Sequence, residues 1–210
     1  MDKTELENQI AILAGEFQGL AEDMDIYRKL YEDPSIIPVL NKIAPRFFLR
    51  IQYALKDAVF LAVARATDPE ESKSYNETRK NISIARICAT IKSDEIGNTR
   101  ARIRVNKAAQ ELKNTAKSIR TVRSRTIAHL DEETVLNATP LVPEGGFPLD
   151  EFVERSQAFL DAVITCVGID GRYTVKRETY AKHADAFLHC LKYVDEKWHH
   201  QRKGATLRVA

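Results

Sequence analysis

The stretch LENQIAILAGEFQGLAEDMDIYRKLY, residues 6–31, decides the fold class. Its apolar side chains recur at intervals that alternate between four and three residues. This spacing places them in one narrow seam along an α-helix of about eight turns. Asp33-Pro34 ends this helix, since a residue before proline is pushed out of the helical conformation. The seam could pack within the chain or against a second copy. It consists of Leu6, Ile10, Leu13, Phe17, Leu20, Met24, Tyr27 and Tyr31.

The rest of the chain repeats helical periodicity. Residues 47–66 carry a broad apolar band that predicts a central helix, although Arg50 and Asp57 interrupt it and would need partners if buried. No window alternates with period two, so we predict an all-α, up-and-down bundle of five or six helices. Further helical patterns cover 81–91 (with Asn81 as N-cap), 99–130, 149–167 and 176–198, separated by loops at 70–80 and 137–148.

Length and composition agree with one helical domain. The chain has 210 residues, of which 44% are hydrophobic and 30% charged, as in ordinary globular proteins and unlike collagen-like or disordered chains. Eight glycines and seven prolines are few for an all-β protein with its frequent turns. We predict a single helical domain over residues 1–198 and a basic, frayed tail over 199–210.

Cysteine usage and the N-terminus point to a compartment. Cys88, Cys166 and Cys190 form no C-x-x-C pair, which disfavours a disulfide framework or a cysteine zinc site. The start MDKTELENQI lacks the basic and apolar regions of a secretory signal. No apolar stretch reaches the ~18 residues of a membrane span. We therefore expect a soluble, cytoplasmic protein that does not bind membranes.

Charge is unevenly distributed along the chain. Residues 79–125 hold thirteen basic and three acidic residues, a charge of +10, although the whole chain carries only +2. Arg100, Arg104 and Lys107 share one helix face, as do Lys113, Lys117 and Arg120. Such a stripe suits a polyanion, because every contact with a phosphate releases counterions. Alternatively, the acidic first helix could neutralise this segment.

Motifs for most enzyme classes are missing. The glycines fit neither a P-loop nor a dinucleotide fingerprint, and no H-E-x-x-H or G-x-S-x-G occurs, so we predict no cofactor and no metal. What remains is Arg123, followed six residues later by His129. An imidazole can move protons in metal-free RNA cleavage, and a guanidinium can hold the phosphate and stabilise developing charge. The spacing alone has low specificity, because Arg177 and His183 repeat it outside the basic segment.

The wording around this pair is more specific. VRSRTIAHLDEE at 122–133 and FFLRIQYALKDAVFLAVARATDP at 47–69 resemble the HEPN superfamily of helical RNases and nucleotide-binding proteins, and most closely its abortive-infection, U-like branch. The resemblance implies a homodimer with a composite RNA-cleaving site, in which Arg123 and His129 are catalytic. It also implies an endoribonuclease that leaves 2′,3′-cyclic phosphate ends and works with an antitoxin or defence partner protein.

Neighbouring residues complete the predicted site. We assign Lys117, Arg120, Ser124 and Arg125 to substrate binding. Arg123 and His129 lie about 120° apart around a straight helix, so aiming both at one phosphate requires a second chain or a helix break. Family members often carry Asn, Asp or His where this chain has Ser124. A non-catalytic module that binds RNA, a nucleotide or a protein partner is the alternative function.

Overall fold

The computed structural model describes residues 3–74, 77–124, 146–170, 173–175 and 181–206. These residues contain eight helices and one antiparallel hairpin, so the predicted all-α fold class is confirmed. The strands are β1 (Glu71–Ser74) and β2 (Glu77–Lys80). The helices are α1 (Lys3–Tyr31), α2 (Ile37–Ile43), α3 (Pro45–Thr67), α4 (Ile84–Ser93), α5 (Thr99–Thr115), α6 (Lys117–Val122), α7 (Leu149–Val167) and α8 (Ala181–Thr206).

Contacts divide the chain into two compact units. The first unit comprises Met1–Ala21 and Asp57–Val175, and the second comprises Glu22–Lys56 and Lys176–Ala210. Helices α1 and α3 each contribute residues to both units. The single domain over 1–198 stays a prediction.

The seam of α1 supplies the core of the first unit. Its side chains from Leu6 to Leu20 are at most 1% exposed, so this part of the seam packs within the chain and not against a second copy. Phe17 meets Phe152 of α7 edge to face, with ring centroids 6.2 Å apart. Helices α5 and α7 pack extensively against each other in the same unit.

The second unit has its own small core. Leu30, Leu40 and Phe48 are buried together with Leu188 of α8. The Tyr31 hydroxyl donates a hydrogen bond to the Phe48 carbonyl at 2.7 Å, and Lys29 pairs with Asp185 at 2.6 Å. Aliphatic packing and these polar contacts together join α1, α2, α3 and α8 in this unit.

The hairpin replaces part of the predicted loop at 70–80. Polar and apolar residues do not alternate along its strands, because β2 is exposed on both faces. The sequence therefore carries no pattern that predicts the hairpin. Asn81 does not cap α4, although the sequence predicts it as the N-cap. Its side chain instead donates to the Pro69 carbonyl at 2.9 Å, and Ser83 caps the helix by accepting from the Arg86 amide.

The long predicted helix over 99–130 is interrupted within the described residues. Helix α5 ends at Thr115 and α6 begins at Lys117, yet the helical hydrogen bonds continue across Ala116. Helices α5 and α6 together therefore correspond to the described part of the predicted helix over 99–130, and the described residues contain eight helices where five or six are predicted. Helix α8 runs on to Thr206, past the predicted helix end at 198.

Helix α3 is central only along part of its length. Val59 and Val63 are buried in its second half, as the apolar band predicts. The first half exposes large apolar side chains, which the band alone did not indicate. Arg50 and Asp57 are both exposed, so neither requires the buried partner expected from the sequence.

The three cysteines are free and differ in their surroundings. Burial raises the pKa of the Cys88 thiol to about 11, and nearby Lys113 opposes this increase. Cys166 is buried beside the α4–α5 connection, where its thiol donates a hydrogen bond to the Ile96 carbonyl at 3.5 Å. Cys190 is exposed on α8.

Candidate functional site

The motif arginine lies immediately after α6. At Arg123 and Ser124 the backbone widens into a π-helical turn, a feature that often occurs at functional sites. Apolar side chains hold α6 against the first unit, because Ile119 is fully buried and Val122 nearly so. The base of Arg123 is therefore attached to a packed helix.

The Arg123 side chain has an unsatisfied donor. Its Nε atom is buried and has no hydrogen-bond partner among the described residues. An unpaired buried donor costs free energy, which an acceptor such as a phosphate oxygen would recover. The neighbouring Ser124 side chain is exposed. Arg123 therefore carries a positive charge and an unpaired donor, the two properties that bind an anion.

Arg120 is in a different situation, although it lies only three residues before Arg123. Its Nη1 donates to Thr67 Oγ1 at 3.0 Å and to the Ala64 carbonyl at 3.4 Å, and it pairs with Asp68 at 3.3 Å. These acceptors lie at the C-terminal end of α3, where a cation is favoured by the helix dipole. Arg120 therefore fastens α6 to α3, a role that its predicted assignment to substrate binding did not include.

The basic stripe is open to solvent. Arg100, Arg104, Lys107 and Lys117 are exposed, and none of the described basic residues of segment 79–124 is buried. Within the described part of the chain, Arg100, Arg104 and Lys117 form no salt bridge, and Lys107 reaches Glu111 only at 4.0 Å. These side chains form a cationic surface on α5 and α6.

The acidic first helix does not neutralise this surface through described contacts. Among the residues that the structure describes, no salt bridge joins α1 to segment 79–124. Glu16 of α1 instead accepts two hydrogen bonds from Arg65, at 2.7 and 3.2 Å. Arg65 and Asp68 lie three residues apart at the end of α3, a spacing that predicts a local ion pair or a helix cap. Asp68 instead pairs with Arg120, so the ion pair is not formed among the described residues. Arg65 and Asp68 both line a cavity of about 310 Å³ with Lys80 and Asn81.

Two predicted site residues fall outside the described residues. These are His129 and Arg125, and Arg177 of the second Arg–His match is also outside them. The proximity of Arg123 to His129 therefore stays a prediction. Sequence reasoning placed Arg123 in the site without any sign that its Nε would be an orphan donor, because burial depends on the packing of α6.

Metal-ligand clusters and membrane-spanning helices are both missing from the described residues. Within the described ranges no three His, Cys, Asp or Glu side chains cluster as metal ligands would. None of the described helices combines the length and the low charge needed to cross a bilayer.

Comparison with known proteins identifies the family. The chain matches the model of the HEPN family described as AbiU2 over residues 3–172, which is well over half of its length. Comparison with curated proteins and with solved structures returned no match. The match covers α1 to α7 and includes both phrases on which the resemblance rests, so the HEPN resemblance is confirmed. This chain belongs to the AbiU2 family of HEPN proteins, the branch associated with abortive infection.

Proposed function

We propose that this HEPN protein is a metal-independent endoribonuclease that acts as a homodimeric effector of phage defence. The observation that carries the proposal is the orphan Nε of Arg123 at the end of an exposed basic stripe. Because this donor is buried without a partner, moving it onto a phosphate oxygen breaks no hydrogen bond to the described residues. The stripe offers the charge that holds the remainder of an RNA strand.

The proposed reaction requires only the RNA and protein side chains. A neutral His129 imidazole removes the proton of the 2′-hydroxyl, whose oxygen then attacks the adjacent phosphorus. The bond from phosphorus to the 5′-oxygen breaks, and a protonated His129 from the second copy donates a proton to that leaving oxygen. Arg123 holds the non-bridging oxygens and stabilises their charge in the transition state. The products are a 2′,3′-cyclic phosphate and a 5′-hydroxyl end.

The homodimer in this proposal comes from the HEPN resemblance, and helix geometry is compatible with it. A single straight helix directs Arg123 and His129 about 120° apart, so two copies can supply complementary groups to one phosphate. An antitoxin or defence partner protein would then restrain the nuclease until infection. RNA is the proposed substrate because the acid–base step needs a 2′-hydroxyl.

The decisive experiment uses purified full-length protein and a labelled single-stranded RNA in the presence of EDTA. We expect wild-type protein to cleave the RNA and His129→Ala to lose at least ~100-fold in rate, as is usual for a general acid–base group. Arg123→Lys should also be slow, because lysine keeps the charge but loses the planar fork of donors. Circular dichroism checks that each variant is folded.

His189→Ala is the matched control, because His189 is exposed on α8 and lies outside the proposed site. It should cleave RNA at the wild-type rate. Full activity of His129→Ala would refute the catalytic role. Salt-sensitive binding by wild-type protein without any cleavage would instead establish the alternative, a non-catalytic HEPN module that binds RNA. A 2′-deoxy substitution at the cleaved position should block the reaction.

A further inference from the structure

The first half of α3 has a second apolar face that points to solvent. Phe47 is 60% exposed, Leu49 48% and Tyr53 54%, whereas Phe48 between them is only 5% exposed. The opposite face of this helix already packs in the core through Phe48. Large apolar side chains that remain this exposed on the other face indicate a docking surface.

Helix geometry places these residues together. At about 100° per residue, Arg46, Arg50 and Tyr53 lie within ~60° of one another, and Leu49 and Phe47 flank them on either side. The opposite side of the same turns holds Phe48 and Leu55, which contribute to the core of the second unit. We call Arg46, Phe47, Leu49, Arg50 and Tyr53 the outer face of α3.

Exposed apolar side chains are concentrated in the second unit. Of the ten large hydrophobic residues that are exposed in the described part of the chain, seven belong to it, although it is the smaller unit. Such an uneven distribution favours a protein interface over the scattered exposure normal for a surface. The seven are Ile37, Phe47, Leu49, Tyr53, Phe187, Tyr193 and Val194.

The charge of the outer face is positive and uncompensated. Residues 45–56 read PRFFLRIQYALK and contain no acid. Arg46 and Arg50 are exposed and form no salt bridge among the described residues. Lys56 lies over the Tyr27 ring, 5.6 Å from its centroid. Tyr, Phe and Arg are the residues enriched at interfaces and at their energetic centres.

Charge decides which occupant fits. Two copies that met through this same face would bring four arginines into one interface, to which residues 45–56 contribute no acid, and this is repulsive. A nucleic acid would use the arginines and Tyr53, but it gains little from aliphatic Leu49, since bases bind by stacking on aromatic rings. An amphipathic helix with apolar residues along one side and carboxylates beside them satisfies both the apolar and the basic groups.

We propose that the outer face of α3 is the docking site for an acidic amphipathic helix of a partner protein. The partner helix lays its apolar side on Phe47, Leu49 and Tyr53, and its carboxylates pair with Arg46 and Arg50. This inference goes beyond RNA cleavage, which is assigned to residues of the first unit, and it does not depend on that activity.

The test measures binding of a designed helical peptide to the full chain by fluorescence anisotropy. The peptide carries leucines at positions i, i+3, i+4 and i+7 and glutamates on both flanks. We expect Arg50→Glu and Tyr53→Ala each to weaken its binding about tenfold or more. A peptide with lysine in place of glutamate should bind the Arg50→Glu variant better than it binds wild type.

Two control variants lie in the first unit. Lys73→Glu reverses an exposed charge, and Ile12→Ala removes an apolar side chain that is 50% exposed. Both should bind the acidic peptide as wild type does, and thermal melts establish that every variant is folded. Absence of peptide binding, or equal binding by face and control variants, would overturn the proposal.

Two further outcomes would also overturn it by revealing another occupant. If the outer-face variants lose binding of labelled oligouridylate while the peptide does not bind, the face is a nucleic-acid surface. If they convert a dimer into a monomer in light scattering, the face belongs to a second copy. Neither outcome alters the cleavage assay with His129→Ala, so the two proposals fail separately.

Discussion

At the scale of single residues, Arg120 and Arg123 show how neighbours in sequence separate in role. Both lie in the basic segment, and sequence reasoning assigned both to RNA. The structure gives Arg120 three acceptors at the end of α3, whereas the Arg123 Nε has none among the described residues. The Arg120 guanidinium is therefore committed to the fold, whereas the Arg123 Nε is buried without a partner among the described residues.

We predict that Arg120→Ala lowers the free energy of unfolding by about 1–2 kcal/mol, because it removes hydrogen bonds to the end of α3. The effect stays modest since the side chain is 39% exposed. Lys117→Ala, on the same short helix but exposed and without a described salt bridge, should change stability by less than ~0.5 kcal/mol. Urea unfolding followed by circular dichroism measures both. Equal losses in the two variants would contradict the assigned role of Arg120.

At the scale of elements, the connection between α4 and α5 depends on one glycine. Gly97 has φ +71°, in the left-handed region, and an added Cβ would lie 2.6 Å from both the carbonyl oxygen and the Sγ of Cys166. Asn98 then caps α5 by accepting from the Ala101 amide at 2.9 Å. In the sequence, the dipeptide Gly97-Asn98 indicates only a break between two helical segments. The contact of Gly97 with Cys166 of α7 is seen only in the tertiary structure.

We predict that Gly97→Ala destabilises the protein by at least ~2 kcal/mol, because the left-handed backbone is strained for alanine and the methyl group meets Cys166. Gly15→Ala is the matched control within α1. Nothing lies within 4 Å of a Cβ at Gly15, so this change should stabilise the helix by up to ~1 kcal/mol. Thermal unfolding of the two variants should therefore shift in opposite directions. A Gly97→Ala variant that melts at or above the wild-type temperature would refute the packing of this connection.

The hairpin shows why one element was missed. Period-two alternation arises when one face of a strand is buried, and β2 buries neither face. The helices were predictable because each has a buried stripe that repeats with helical period. Element boundaries were less predictable, as the interruption at Ala116 has no proline or glycine to mark it.

At the scale of the whole molecule, charge segregation is the property that matters for a polyanion. The net charge of +2 conceals a segment of +10 and a remainder of −8. The basic stripe on α5 and α6 is exposed, so the positive charge of this segment lies on the surface of the first unit. The outer face of α3 is a second basic surface on the second unit, and it differs by its large apolar side chains.

We predict that RNA binding weakens steeply with salt and that Arg100→Gln and Arg104→Gln each reduce the slope of log K against log salt by about 0.7, the value for one phosphate contact with a single strand. Lys192→Gln, an exposed lysine on α8 outside the basic segment, should leave the slope unchanged. Titrations of labelled RNA at several salt concentrations provide the slopes. If Arg100→Gln and Arg104→Gln show the same slope as Lys192→Gln, these arginines of α5 do not contact the RNA.

The sequence by itself determined the helical class, the family and the candidate pair of Arg123 with His129. These follow from local periodicity and from a short motif, both of which are readable along the chain. Tertiary structure alone decided which of the basic side chains are available. Arg120 is paired because Ala64, Thr67 and Asp68, more than fifty residues away in sequence, are brought next to it. Packing against distant elements also leaves the outer face of α3 uncovered, since burial depends on the elements that surround a helix and not on its own periodicity.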